Sequence, residues 1–309
     1  MLILYPQQQR WMQEVLARRM CADLAREGIA CVVLSAQAYA EGERPELASE
    51  PVLLVNLSDM LASVPSLEAR QRCLESVRRH PRRVLVNLES TQSSWFHDQF
   101  RFGSGVITEI LDLGVVPQTA ATRFHSIPLT WIPDALTRDE VESVAALSVE
   151  NERRAIPWAM VGQYIIPRRD LLKELRQGLG ENGFVFLPSL RQPTDDDAAL
   201  PREVLGKVLS RAEFSVWQSF HEYPHHEPFC AVAALIAGAM PVKIDPRRAV
   251  ALAGLPWVFG SVCEFLAALA DMGKAEYARR CRDTVLELGT LGQRVAAALG
   301  THGGDADAQ

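Results

Sequence analysis

Residues 222–242 read Glu-Tyr-Pro-His-His-Glu-Pro-Phe-Cys-Ala-Val-Ala-Ala-Leu-Ile-Ala-Gly-Ala-Met-Pro-Val, and their reading decides the fold. The opening residues are polar and carry Pro224 and Pro228, the composition of an exposed loop. From about Pro228 the run changes to Cys, Ala, Val, Leu and Ile, a small-residue helix able to pack closely on a sheet. Gly238-Ala-Met-Pro-Val242 then turns the chain into a strand over 240–244. Loop, helix, turn and strand form one step of a parallel α/β sheet. The start of such a helix offers unpaired N–H groups to an anion, which is a phosphate site in outline.

The same alternation extends in both directions. The apolar runs 2–5, 29–34, 52–57, 83–88, 115–117 and 128–132 predict strands, and 8–27, 66–80 and 104–113 predict helices, the first stopped by Gly28. A charged helical segment over 137–154 follows Pro133-Asp134, after which the rhythm restarts. Strands are predicted at 156–161, 183–187, 213–217 and 255–259, and helices at 168–179, 202–211, 261–272 and 274–299. The fold expected is α/β, with two Rossmann-like domains facing a cleft. The first covers 1–135, a linker 136–155, the second 156–272, a C-terminal helix 273–300 and a disordered tail 301–309.

Bulk properties narrow the function. With 309 residues, 48% hydrophobic and 23% charged, the chain has the composition of an ordinary globular protein and the length for two cores. A net charge of −6 argues against a general nucleic-acid or membrane-surface binder. The six cysteines are scattered without a C-x-x-C pair, which suits a reducing compartment. The first residues lack the basic and long apolar regions of a signal peptide, and no apolar run spans a membrane, so a cytoplasmic location is expected.

Glu227-Pro-Phe229 and Ala237-Gly-Ala-Met-Pro-Val242 resemble the Glu-x-Phe loop and the Ala-x-Gly-x-Pro-Val helix end of GT-B-type glycosyltransferases, in their nucleotide-sugar half. Trp131-Ile-Pro-Asp134, then Val161-Gly162 followed by Arg168-Arg169-Asp170, occur in the order of the same family, nearest its spore-maturation-type group (glycosyltransferase group 1). The resemblance covers most of residues 130–270. It implies that the first domain takes the acceptor, the second takes a nucleotide-diphosphate sugar, and no metal or other cofactor is bound. Gly162, Arg168, Arg169, His221, Glu222, Glu227, Phe229 and Cys230 would then surround the donor, with Glu227 near the sugar. The chain departs from the family where Ala233 replaces a second, ribose-binding Glu, and where Pro6-Gln-Gln-Gln-Arg10 replaces a Gly-rich turn.

Polar residues at predicted strand ends supply the remaining candidates. Asp59, after the third strand, and Glu89, after the fourth, are placed to take a proton from an acceptor hydroxyl, as are His97 and His125. Both carboxylates equally suit a helix cap or a loop hydrogen bond. His221-Glu-Tyr-Pro-His225 spells H-E-x-x-H, but Pro224 breaks the helix that would bring both imidazoles to one zinc ion. Asp195-Asp-Asp197 lies in a polar loop before a helix, where acids suit the helix dipole, and implies no metal. Two alternatives to the transferase stand, a non-catalytic binding protein of the same fold and a zinc hydrolase using His221 and His225.

Overall fold

The computed structural model describes residues 1–7, 11–42, 49–103, 105–113, 123–146, 154–188, 200–219, 226–227, 229–247 and 254–301. The chain divides into two compact units, Met1–Arg138 with Gly289–Gln309, and Asp139–Leu288.

The first unit runs β1 (Leu2–Tyr5), α1 (Trp11–Arg26), β2 (Val32–Ser35), α2 (Ala36–Ala40), β3 (Val52–Val55), α3 (Leu57–Ser63), α4 (Leu67–Arg78), β4 (Arg83–Asn87), α5 (Ser94–Gly103), β5 (Glu109–Asp112), β6 (Arg123–Phe124) and β7 (Ile127–Trp131). Its sheet has the order β2-β1-β3-β4-β5-β7-β6, parallel apart from the β6–β7 pair. Leu2 pairs with Val32 on one side and Val52 on the other. Helices leave both faces of β3 buried, and Val-Leu-Leu-Val reads accordingly as a continuous apolar run. Leu2, Leu4, Leu54 and Leu85 form one face of the core with Met60, Val77 and Phe96. Gly28, at φ +80, lets α1 end in a Schellman turn, with Ile29 N–H bonded to Leu24 O and Gly28 N–H to Ala25 O.

The second unit follows α6 (Arg138–Ala146) with β8 (Ile156–Val161), α7 (Ile166–Leu179), β9 (Phe184–Phe186), α8 (Arg202–Leu209), β10 (Ala212–Trp217), α9 (Cys230–Ile236), β11 (Met240–Ile244), β12 (Val258–Phe259), α10 (Val262–Met272) and α11 (Lys274–Glu287). Its sheet is parallel throughout, ordered β9-β8-β10-β11-β12. Phe214, Phe259, Phe265 and Tyr277 meet edge-on and tilted beneath it. Buried Trp158 lies against Gly183, where a Cβ would collide with the indole, and donates its N–H to Gly180 O at 2.8 Å.

Counted within each unit, both sheets begin 2-1-3-4-5. In such an order the connections reverse between the first and third strands, and the carboxyl ends there form the crevice where open parallel sheets bind ligands. These points lie at β1 and β3 in one unit and at β8 and β10 in the other.

Two expectations are corrected. The helix expected over 104–113 is not found among the described residues 105–113, where Glu109–Asp112 is the buried strand β5 between β4 and β7. Only Ile110 and Leu111 are apolar in it, too short a run to show alternation, while buried Glu109 and Asp112 are held by Arg82 and Asn87. The closing helix over 273–300 is two helices, α11 and α12 (Leu291–Thr301), parted at Gly289 with φ +75. The second of them belongs to the first unit. There Asp23 accepts from Gly292 N–H, a Cβ on Gly292 would lie 2.6 Å from Asp23 O, and Arg82 reaches Leu299 O at 2.8 Å. The strand expected at 115–117 lies outside the described residues.

Candidate functional site

At the carboxyl edge of the second sheet, Arg168 projects from the first turn of α7 and is only 6% exposed. Its Nε and Nη2 donate to Gln218 O at 3.1 and 2.5 Å, and its Nη1 to Gln163 O at 2.7 Å. These carbonyls follow β10 and β8, so the guanidinium bridges the two strand ends of the crevice. Gly162 makes room for it, since a Cβ there would stand 2.5 Å from Nη1. Burial lowers the Arg168 pKa, and the nearby Glu227 carboxylate and Cys230 oppose that shift.

Glu227 is the centre of this edge. Its Oε2 accepts from Trp217 Nε1 at 3.1 Å and from Lys243 Nζ at 2.7 Å. Trp217 and Lys243 are register partners on β10 and β11, which is why both donors reach one oxygen. The Lys243 side chain is 1% exposed and that of Glu227 17%. An ammonium so buried persists only when paired, because its desolvation costs several kcal/mol per ion. Glu227 therefore faces two buried cations, one by direct contact and one by electrostatic proximity. Sequence reasoning missed Lys243; the available signal was a single charge inside the apolar strand Met-Pro-Val-Lys-Ile.

The other donor candidates differ in placement. Arg169 is exposed, with Nε 3.4 Å from Asp170. Phe229 caps α9 in the left-handed region at φ +77, and Cys230 N–H makes a long, 3.5 Å bond to Glu227 O. The helix α9 has only 7 residues, so its dipole is a minor part of the local field beside two buried cations. Ala233 is partly buried and packs against the cluster of Ala159, Val208, Leu209 and Ala212, so position 233 faces the core. His221, Glu222 and His225, like Asp195–Asp197, lie outside the described residues.

The edge of the first sheet carries a polar cluster. Asp59 Oδ2 accepts from Asn56 Nδ2 at 3.0 Å and Gln13 Nε2 at 3.1 Å. Asn56 takes the left-handed conformation, φ 54, to start α3 directly after β3. Fully buried Asn87 donates to Glu89 O at 2.6 Å and Asp112 Oδ1 at 3.0 Å, and its Oδ1 accepts from Glu89 N–H and Gln99 Nε2. Gln99 in turn accepts from Leu57 N–H at 3.0 Å. One network thus joins the ends of β3, β4 and β5, holding Asp59 through its side chain and Glu89 through its backbone. His97 and His125 lie apart, against the Phe124 ring.

No metal-ligand group of three or more His, Cys, Asp or Glu occurs among the described residues. No helix among them is long and apolar enough to cross a membrane. No protein-family model matches the chain, and no curated protein matches it. A solved structure of an alpha1,3-fucosyltransferase is similar, with 11% identity and a TM-score of 0.46 over 91% of this chain and 80% of that one.

Proposed function

We propose that the chain is a glycosyltransferase of GT-B type that moves a sugar from a nucleotide-diphosphate donor to an acceptor hydroxyl. The observation carrying this reading is the Arg168–Glu227–Lys243 cluster at the carboxyl edge of the second sheet. The Glu-x-Phe and Ala-x-Gly-x-Pro-Val segments, which resemble that family, flank it as a loop, α9 and the start of β11. Sugar transfer leaves a diphosphate, and fixed cations in a low-dielectric site stabilise that departing charge without covalent help from the protein. Lys243 is buried and paired with Glu227, so it fixes that carboxylate and offsets its charge, which leaves Arg168 as the excess positive charge of the cluster. Arg168 spends three of its five N–H donors on carbonyls and shapes the crevice as much as it charges it. Glu227, oriented by Trp217 and Lys243, is the carboxylate for the donor sugar. Asp59 or Glu89, on the first unit, takes the acceptor's proton.

The test is the midpoint of thermal unfolding with each common nucleoside diphosphate, with and without chelator. A ligand bound only by the folded state raises the midpoint by mass action. One nucleotide should raise it, chelator should leave the rise intact, Glu227→Gln should reduce it, and Arg169→Ala should leave it nearly unchanged. Absence of any shift, together with destabilisation by chelator, would sink the proposal and favour zinc at His221 and His225. A second reading, a binding protein that kept the fold, draws on the core-facing Ala233. Its signature is a nucleotide shift without sugar transfer or donor hydrolysis.

A further inference from the structure

We propose that Cys21 and Cys31 form one dithiol site in the first unit, which closes reversibly to a disulfide by exchange with a low-molecular-weight disulfide. The inference stands on the first unit alone and is independent of the transferase reading.

The turn after α1 brings the two sulfurs together. Gly28, at φ +80, reverses the chain, with Ile29 N–H on Leu24 O and Gly28 N–H on Ala25 O. The residues leading into β2 therefore run back beside the last turns of α1. Cys21 lies there, and its thiol donates to Cys31 O at 3.5 Å, across a separation of 10 residues. The Cys31 thiol donates to Ile29 O at 3.4 Å. The two thiols also stand within hydrogen-bonding reach of each other. Their separation in sequence hides the pair from the C-x-x-C pattern, and the reversal at Gly28 creates it.

Access and surroundings suit exchange. Both thiols are half-buried, whereas Cys73 and Cys281 are fully buried. Strand β2 lies at the edge of its sheet, so no further strand among the described residues covers Cys31. Burial pushes both thiols up, that of Cys31 to about 11, and the Arg18 guanidinium opposes the rise at Cys21. The thiolate is the attacking species, so the site exchanges slowly at neutral pH. The Cys21 thiolate attacks one sulfur of the small disulfide and releases one small thiolate. The Cys31 thiolate then attacks the Cys21 sulfur and releases the second. Two protein thiols and one small disulfide thus give one protein disulfide and two small thiols, the two protons passing to the released thiolates. Contact between the sulfurs makes the second step intramolecular and fast beside the first. A reducing compartment keeps the pair open, and an oxidising one closes it.

The probe is glutathione disulfide, added to the reduced full chain, with the remaining thiols alkylated and the products mapped as tryptic peptides. Cleavage after Arg26 separates the two cysteines, so a disulfide between them joins two peptides. The joined peptides should appear, and dithiothreitol should part them again. Mixed disulfide with glutathione should accumulate at exposed Cys263 but not at Cys21, where the second thiol displaces it. In Cys31→Ser it should accumulate at Cys21, and Cys263→Ser should leave closure unchanged. The closed chain should unfold at a midpoint about 5 °C higher, a measurement that needs no variant to fold. Glutathione carried singly on Cys21 and Cys31 without joined peptides overturns the proposal. An unmodified pair under conditions that modify Cys263 does the same. So does closure that occurs only in denaturant, or a lowered midpoint after closure, since the sulfurs would then have to be forced together.

Discussion

The two sheets share a strand order and place their crevices at equivalent strand ends, yet they furnish those crevices with opposite chemistry. The second unit joins β8 to β10 with a buried guanidinium and sets a buried ammonium against Glu227. The first unit joins β3, β4 and β5 with side-chain amides and carboxylates. Strand order determines where a ligand can sit, and side chains at the strand ends decide its charge. One topology can thus carry an ion-paired cluster at the edge of one sheet and an amide–carboxylate cluster at the edge of the other.

The strongest way to break this contrast is to remove the ammonium. Lys243→Met leaves a poorly solvated carboxylate behind and should cost about 3–5 kcal/mol in denaturant unfolding. Adding Glu227→Gln should recover a large share, since the stranded charge is then gone. A loss under 1 kcal/mol would mean that the pair is not the buried electrostatic unit described.

In the first unit the matching change is Asn87→Ala. It removes the acceptor of the Gln99 amide N–H and of the Glu89 N–H and one donor to Asp112. The expected loss is about 1–3 kcal/mol, below that of Lys243→Met, and equilibrium unfolding of both variants compares them directly.

Helix caps calibrate the comparison because they are alike in both units. Ser66 caps α4 by accepting from Ala69 N–H, and Ser261 caps α10 by accepting from Glu264 N–H. Replacing either with Ala should cost about 1 kcal/mol. A marked difference between them would reveal that the units do not report stability equally.

The mildest test is acid. His80 is buried in the first unit, with Nδ1 bonded to Glu50 O at 2.6 Å and Nε2 facing Tyr39 Oη at 2.9 Å. Burial lowers its pKa below the ordinary 6.5, against a smaller raising effect of the Glu50 carbonyl. As pH falls below that value the unfolded chain takes up a proton that the native imidazole refuses. Stability should therefore be complete above about pH 6.5 and decline as acid carries the solution toward the lower native pKa. His80→Gln should flatten the slope of unfolding free energy against pH over that window.

Much of the architecture was legible. The strand at 240–244 coincides with β11, and Gly28, Ser66 and Ser261 mark helix ends where the structure has them. Glu227 stood out by its motif, and Asp59 and Glu89 by their place after strands. Lys243 was hidden because buried strands are recognised as apolar runs, and a lone lysine in one reads as an interruption. Strand β5 was hidden for a related reason, since its two apolar residues lie between the buried charges Glu109 and Asp112 and show no strand period. The role of Arg168 was half visible: its position after Gly162 suggested an anion site, while its bonds to Gln163 and Gln218 depend on strands far apart in sequence.

The sequence by itself determined the parallel α/β class, the restart that separates the two units and the loop–helix–strand around Glu227, because these rest on local periodicity and turn chemistry. Only the tertiary structure decided that α12 returns to the first unit through Asp23 and Arg82, and that Trp217, Glu227 and Lys243 meet at one oxygen. Those contacts join residues whose neighbours carry no mark of each other. They form because burying the sheets brings strand ends together, and because each buried charge must then find its partner there.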